Sequence, residues 1–159
     1  MPDYVFEAGM KQVKARLETI QVANGYQNTV ESVQRQAWEG QDLVVSRAIY
    51  IKEGAEEVVE QVASGVNVLL RCKRRVNLAI FARPAENDTL KPDEIMNSLA
   101  GDVVKAMLTP PRTFGGYFEF VTLVERLPLD AEEAKTHLAE GIGIDVHYRY
   151  RADDPTLQA

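Results

Sequence analysis

One cysteine, one tryptophan and two histidines in 159 residues leave little from which to build a reactive site. The lone Cys72 excludes an intramolecular disulfide and fits a reducing compartment. His137 and His147 have no i,i+4 partner and no cysteine cluster beside them, so the spacing of a zinc site is missing. Gly141-Ile142-Gly143 starts like a dinucleotide loop but lacks the third glycine and the strand–turn–helix context. A P-loop and a G-x-S-x-G elbow are absent as well. No catalytic residue, metal ligand or cofactor is therefore assigned, and an enzyme is not expected. No apolar run approaches the roughly 20 residues of a membrane span. The opening MPDYVFEAGMKQVK has no basic start followed by an apolar core, so a signal peptide is not expected. Without export, the sequon Asn87-Asp88-Thr89 carries little weight. Excess positive charge is lacking too: 18 Lys and Arg stand against 24 Asp and Glu, a net charge of −6. That argues against a general nucleic-acid binder. It agrees with a surface that nucleic acid slides past, since like charges repel.

What is present is an architecture. The chain is 45% hydrophobic and 26% charged, ordinary values for one globular domain. The expected domain covers residues 1–151, and 152–159 (ADDPTLQA) is a polar tail expected to be loose. The clearest element is a helix over Pro92–Leu108. Ile95, Met96, Leu99, Val103, Ala106 and Met107 form one apolar stripe, with Asp93, Glu94, Asn97, Asp102 and Lys105 assigned mainly to the wet side. Pro92 suits the first helical position, and Pro110-Pro111 forbids continuation. Gly101 weakens the helix unless another backbone approaches there. A first helix from about Tyr4 to Val22 has its stripe at Phe6, Met10, Val13, Leu17 and Ile20, is slightly weakened by Gly9, and ends at Asn24-Gly25.

Tyr26–Gln36 is expected as a polar strand, followed by a loop in which Trp38 packs. Leu43–Glu53 is a better strand, with Ile49 and Ile51 on one face and Tyr50 and Lys52 on the other. Ala55–Ser64 fits either a helical turn or a polar β-arm. Val66–Arg83 alternates over its whole length, broken only where Arg74 intrudes on the apolar parity. It is either two strands kinked near Arg74 or one long strand in a β-hairpin projecting around 54–76. After the turn TPPRTFGG, Tyr117–Arg126 and Leu138–Arg151 are expected to pair as a hairpin. The fold class is thus α+β: a mainly antiparallel sheet with two helices on one face, in the order α-β-β-β-α-β-β. The other sheet face is left to water or a partner.

Cys72 falls on the apolar parity of its strand and is expected to be a small core residue. The acid pairs Asp130/Glu132 and Glu56/Glu57 are expected to be solvated. The sharpest charge feature is the run Arg71, Lys73, Arg74, Arg75. It is either a contact to an acidic subunit surface or to phosphate, or the protective charge of an edge strand. Acidic stretches at 53–60 and 130–140 match it, so identical copies joined head to tail would close a ring. The candidate interface residues are Arg71, Lys73, Arg74, Arg75, Glu56, Glu57 and Glu60. Partners are sought at the sheet edges and on this strand.

Four stretches in this order resemble the tail terminator proteins of long-tailed bacteriophages and related tail-completion and neck proteins. They are the opening helix leading into NGYQNTVESVQRQ; SRAIYIKEG; RVNLAIFARPAEND leading to a helix with Leu-Ala-Gly-Asp-Val; and PPRTFGG followed by a hairpin ending HYRYRADDP. The polar stretch Gln34–Asp42 and the length of the basic strand depart from the pattern. The resemblance implies a virion structural protein: a ring, commonly a hexamer, that caps the tail tube, stops its polymerisation and joins the head connector. Its partners would be further copies of itself, the tail tube protein and the head-connector or neck protein, with DNA passing through the lumen unbound and no membrane contact. Its place would be the tail–neck junction of the virion, after assembly in the host cytoplasm. A head-completion or other neck adaptor is the neighbouring alternative. A small-molecule-binding regulatory α+β module, with a ligand on the open sheet face, is the alternative of another class.

Overall fold

The computed structural model describes residues 2–35, 45–84, 88–128 and 138–158. Trp38, Asn87, His137 and the acids Asp130 and Glu132 lie outside them. Two α-helices, α1 (Val5–Glu18) and α2 (Pro92–Leu108), lie on a sheet of five strands: β1 (Ser32–Gln34), β2 (Arg47–Ser64), β3 (Asn67–Ala82), β4 (Phe120–Pro128) and β5 (Leu138–Arg151). Their spatial order is β1-β2-β3-β5-β4. The pairs β2–β3, β3–β5 and β4–β5 are antiparallel, and β1 joins β2 in parallel, so the sheet is mixed. The α+β class and the element order agree with expectation.

Both helical stripes face one side of the sheet. Phe6, Met10, Val13 and Leu17 of α1 and Ile95, Leu99, Val103 and Met107 of α2 share a core with Ile49, Ile51, Val76, Leu78, Ile80, Ile142, Ile144, Val146 and Tyr148. The opposite face is not uniformly wet. Ala48, Tyr50 and Phe81 form a second small cluster there, Tyr50 meeting Phe81 edge-on at 5.7 Å.

Local chemistry explains the boundaries of α2. The Lys91 N–H donates to the Glu94 carboxylate at 2.8 Å, half of a capping box, and Pro92 follows. Beyond its end, Arg16 of α1 donates to the carbonyls of Thr109 (3.1 Å) and Pro111 (2.6 Å) and lies 4.1 Å from the Phe114 ring centroid. Phe114, at φ 48°, is held in the left-handed region by burial, and Gly115 and Gly116 follow at φ 76° and 86°.

Several expectations need correction. α1 ends at Glu18, and Gly25, at φ 86°, closes a separate 3-10 turn at Val22–Asn24. The strand expected over Tyr26–Gln36 shrinks to Ser32–Gln34 because its backbone donors are used elsewhere. Gln27 and Asn28 donate to Asp102, and Val30 to the Ile20 carbonyl. Asp102 is accordingly buried rather than on the wet side of α2; its carboxylate takes the Asn28 N–H and Asn28 Nδ2 at 2.8 Å each. Gly9 does more than weaken α1: a Cβ there would lie 2.3 Å from the Phe118 ring, which packs against the bare backbone. Gly101 has no such neighbour. β4 begins at Phe120, since Phe118 belongs to the preceding turn through its N–H to the Thr113 carbonyl. Residues 152–158 are tied down rather than loose. The Pro155 carbonyl accepts the Val5 N–H at 3.0 Å, serving a first-turn donor of α1, and the Ala152 N–H reaches the Val68 carbonyl at 2.8 Å.

Candidate assembly surface

β2 and β3 settle the ambiguous stretch 55–64 as β-structure and run as one hairpin from Arg47↔Ala82 to Ser64↔Asn67, with Gly65 at φ 62° in its turn. We call its outer half, beyond Glu53 and Val76, the arm. β3 does not kink into two strands. Along Leu69–Ala82 it is backed on its other side by β5. The side chains of β3 divide by parity: Cys72, Val76, Leu78 and Ile80 face the helices, while Arg71, Lys73 and Arg75 face the opposite side.

That opposite side carries a ladder of ion pairs. Arg71 meets Glu119 at 3.1 Å and Glu60 at 3.3 Å. Lys73 meets Glu57 at 3.2 Å. Arg75 meets Asp145 at 2.6 Å and Glu125 at 3.5 Å. Arg149 is paired with the Glu119 carboxylate as well. His147 stacks on Phe120 at 4.1 Å, and burial lowers its pKa. Arg71, Lys73 and Arg75 are therefore neutralised within their own chain. Nor is the basic run the guard of an edge strand, because β3 is the middle strand of the sheet.

Arg74 and Glu56 lie directly opposite each other on the helix side. The Arg74 guanidinium sits 4.2 Å from the Phe6 ring centroid, and its Nε donates to the Gly54 carbonyl at 2.6 Å. The Glu56 carboxylate accepts from Tyr148 at 2.5 Å and Tyr150 at 3.0 Å. Burial first, then the hydrogen bond to Glu56, pushes both tyrosine hydroxyls well above their usual range, so they remain donors. Burial likewise pushes the Cys72 thiol up to about 11, which suits an inert core residue. Next to this group Arg35 clamps α1 to β2: its Nη atoms donate to both Glu7 oxygens at 2.7 and 2.9 Å, and its Nε to Glu53 at 2.9 Å. Phe6, Glu53, Glu56, Arg74, Tyr148 and Tyr150 line part of a cleft of about 480 Å³.

The sheet ends on two unlike edges. Among the described residues, β1 pairs with the outer side of β2 along Ala48–Tyr50, and no other strand lies beside Ile51–Ser64 on that side. β4 has β5 on one side and, among the described residues, no strand on the other. Both edges expose apolar side chains: Val58, Val59 and Val62 on β2, and Phe120, Leu123, Val124 and Leu127 on β4.

Of the sequence-selected residues, the fold brings Arg71 and Lys73 together with Glu60 and Glu57 on one face. It places Arg74 with Glu56 on the other and gives Arg75 different partners. Sequence reasoning missed Glu119, Glu125, Asp145, Arg149 and the Glu7–Arg35–Glu53 clamp. Asp145 and Arg149 alternate with the apolar Ile144, Val146 and Tyr148 along Leu138–Arg151, and Glu53 falls in the acidic stretch 53–60; nothing local pointed to the rest. Among the described residues, no group of three His, Cys, Asp or Glu is placed to hold a metal ion, and no helix is long and apolar enough to cross a membrane. No family model matches the chain, and no curated protein matches it.

Proposed function

We propose that the chain is a ring-forming virion structural protein of the tail–neck junction, a tail terminator that caps the tail tube and presents the surface for head joining. The observation that carries this reading is the pair of unlike sheet edges, each without a further strand among the described residues and each with exposed apolar residues. Exposed edges normally carry bare charge, proline or a covering element. Here several of the charges beside them are matched in the same chain: Glu57 and Glu60 with Lys73 and Arg71, and Glu125 with Arg75. Unlike edges make heterologous contacts, which close into a ring when the rotation between copies brings the last back to the first. The ion-pair face and the net charge of −6 suit a wall past which DNA moves without sticking. Two of the resembling stretches also meet physically, Asn28 of NGYQNT on Asp102 of Leu-Ala-Gly-Asp-Val. Negative-stain images and native mass of the purified protein, alone and with purified tail tubes, test the proposal. Rings, or caps on tube ends, are expected; a protein that stays monomeric and ignores the tubes refutes it.

The cleft at Glu56 and Arg74 favours a second reading, a small-molecule-binding module. Its volume lies in the usual range for ligand sites, and a few polar groups converge on aromatic walls. A melting-temperature screen against small zwitterions and cations tests this. A shift abolished by Glu56→Gln supports it, and a flat screen removes it.

A further inference from the structure

We propose that the cleft beside Glu56 and Arg74 takes a free α-amino acid with an aromatic side chain, its carboxylate on Arg74 and its ammonium on Glu56. This inference rests on the small-molecule reading of the cleft and names the ligand class. Three features of the fold converge on it. First, Arg74 stands apart from the rest of the basic run. Arg71, Lys73 and Arg75 each meet an acid of their own chain. Among the described residues no carboxylate pairs with Arg74, although Glu56 lies opposite it in register. The guanidinium carbon lies over the Phe6 ring, 4.2 Å from its centroid, and Nε is used on the Gly54 carbonyl. These two contacts hold the group in place at the cleft wall and leave its two Nη atoms uncommitted. A planar fork of N–H donors matches a carboxylate, which takes two of them at once. A half-buried cation without a partner carries a desolvation cost that a bound carboxylate would offset.

Second, Glu56 supplies the opposite charge with acceptor capacity to spare. Tyr148 and Tyr150 donate to its two oxygens, one each. An ionised carboxylate has about four acceptor sites, so room remains for an ammonium group. The other two acids of the wall, Glu7 and Glu53, are both held by Arg35. Arg74 and Glu56 are thus the charged groups of the wall without an opposite charge of their own. A simple anion on Arg74 would meet the charge of Glu56, and a simple cation on Glu56 would meet that of Arg74. A zwitterion matches both.

Third, the rest of the wall is aromatic. The rings of Phe6 and Tyr148 lie 5.3 Å apart, and Tyr148 and Tyr150 stack at 6.2 Å. Tyr4 lines the same cleft and is 63% exposed. An aromatic side chain on the ligand would cover these rings and gain ring–ring contacts beyond its area. The volume of about 480 Å³ is in the range of sites that enclose one small molecule.

The test uses the full chain and three probes that share one phenyl group: L-phenylalanine, 2-phenylethylamine, which lacks the carboxylate, and 3-phenylpropionate, which lacks the ammonium. Titration calorimetry measures each probe against the unaltered chain, Arg74→Gln and Glu56→Gln, after circular dichroism confirms that the variants are folded. The unaltered chain is expected to bind L-phenylalanine at least about tenfold more tightly than either of the others. Arg74→Gln should remove that advantage over 2-phenylethylamine, and Glu56→Gln that over 3-phenylpropionate. The comparison on the unaltered chain decides even where a variant fails to fold. A single-charge probe that binds as well as L-phenylalanine overturns this inference and leaves the small-molecule reading in place. So does an advantage that survives both substitutions, or an equal loss of all three probes in both variants. So does silence from all three probes where the wider melting screen finds another compound. Silence from the probes and the wider screen together removes the small-molecule reading itself.

Discussion

From Ala48 to Ile51, β2 is buried; from Ala55 to Ala63, every residue of the same strand is exposed. The first half lies between the two-helix layer and the small cluster of Tyr50 and Phe81. The second half has β3 beside it and little above or below. Burial of aliphatic side chains holds the base. Ladder hydrogen bonds and cross-strand ion pairs hold the arm, and each exposed pair contributes under about 1 kcal/mol. Alternation along a strand thus specifies parity, while burial requires a second layer to be present. The arm keeps Val58, Val59 and Val62 exposed.

The sharpest way to break this comparison is one truncation in each half. Ile80→Ala, in the buried base, is expected to lower stability by roughly 2–5 kcal/mol. Val62→Ala, in the exposed arm, should stay within about 0.5 kcal/mol. Urea denaturation of the monomer measures both, and equal losses would abolish the distinction. Repeating the pair on the assembled protein sharpens it, because Val62→Ala should then lower assembly affinity.

Asp102 comes next. Asp102→Ala strands the buried N–H of Asn28 and frees the loop before β1, which should cost roughly 1–3 kcal/mol. The arm should be untouched, which hydrogen exchange across 55–63 would verify; lost protection there would show that base and arm unfold as one unit.

The two helical glycines have opposite expected signs. Gly9→Ala drives a methyl into the Phe118 ring and is expected to destabilise by roughly 1–3 kcal/mol. Gly101→Ala meets open space and should stabilise by up to about 1 kcal/mol. Melting temperatures of the two variants decide it, and a gain at Gly9 would mean that Phe118 moves freely.

The smallest effect belongs to the ladder. Lys73→Met removes one exposed pair with Glu57 and should change monomer stability by under about 1 kcal/mol, less at high salt. A larger, salt-insensitive loss in denaturation would show that the arm rests on its ion pairs.

Much of the fold was legible. The spans Pro92–Leu108 and Leu138–Arg151 match the observed elements, because alternation, helical period and proline are signals carried by adjacent residues. The candidate surface was legible only in part. The charged run on β3 is plain in the sequence, yet its meaning depended on which strands lie beside it. Local cues left a partner contact and an edge guard both open; the topology places two strands on each side of β3 and supplies its acids from β2, β4, β5 and Glu119. Asp102 misled for the same reason. An aspartate on a helix is ordinarily solvated, and nothing near it announces a backbone partner 74 residues away.

By itself the sequence determined the kind of most main elements and the apolar side of the long strands. Those follow from backbone geometry and side-chain type over a few residues. Only the tertiary structure decided the strand order, the pairing of Arg71, Lys73 and Arg75 with acids of their own chain, and the burial of Asp102. Each of these depends on contacts between distant segments, whose selection is made by the burial of the whole core rather than by any local pattern.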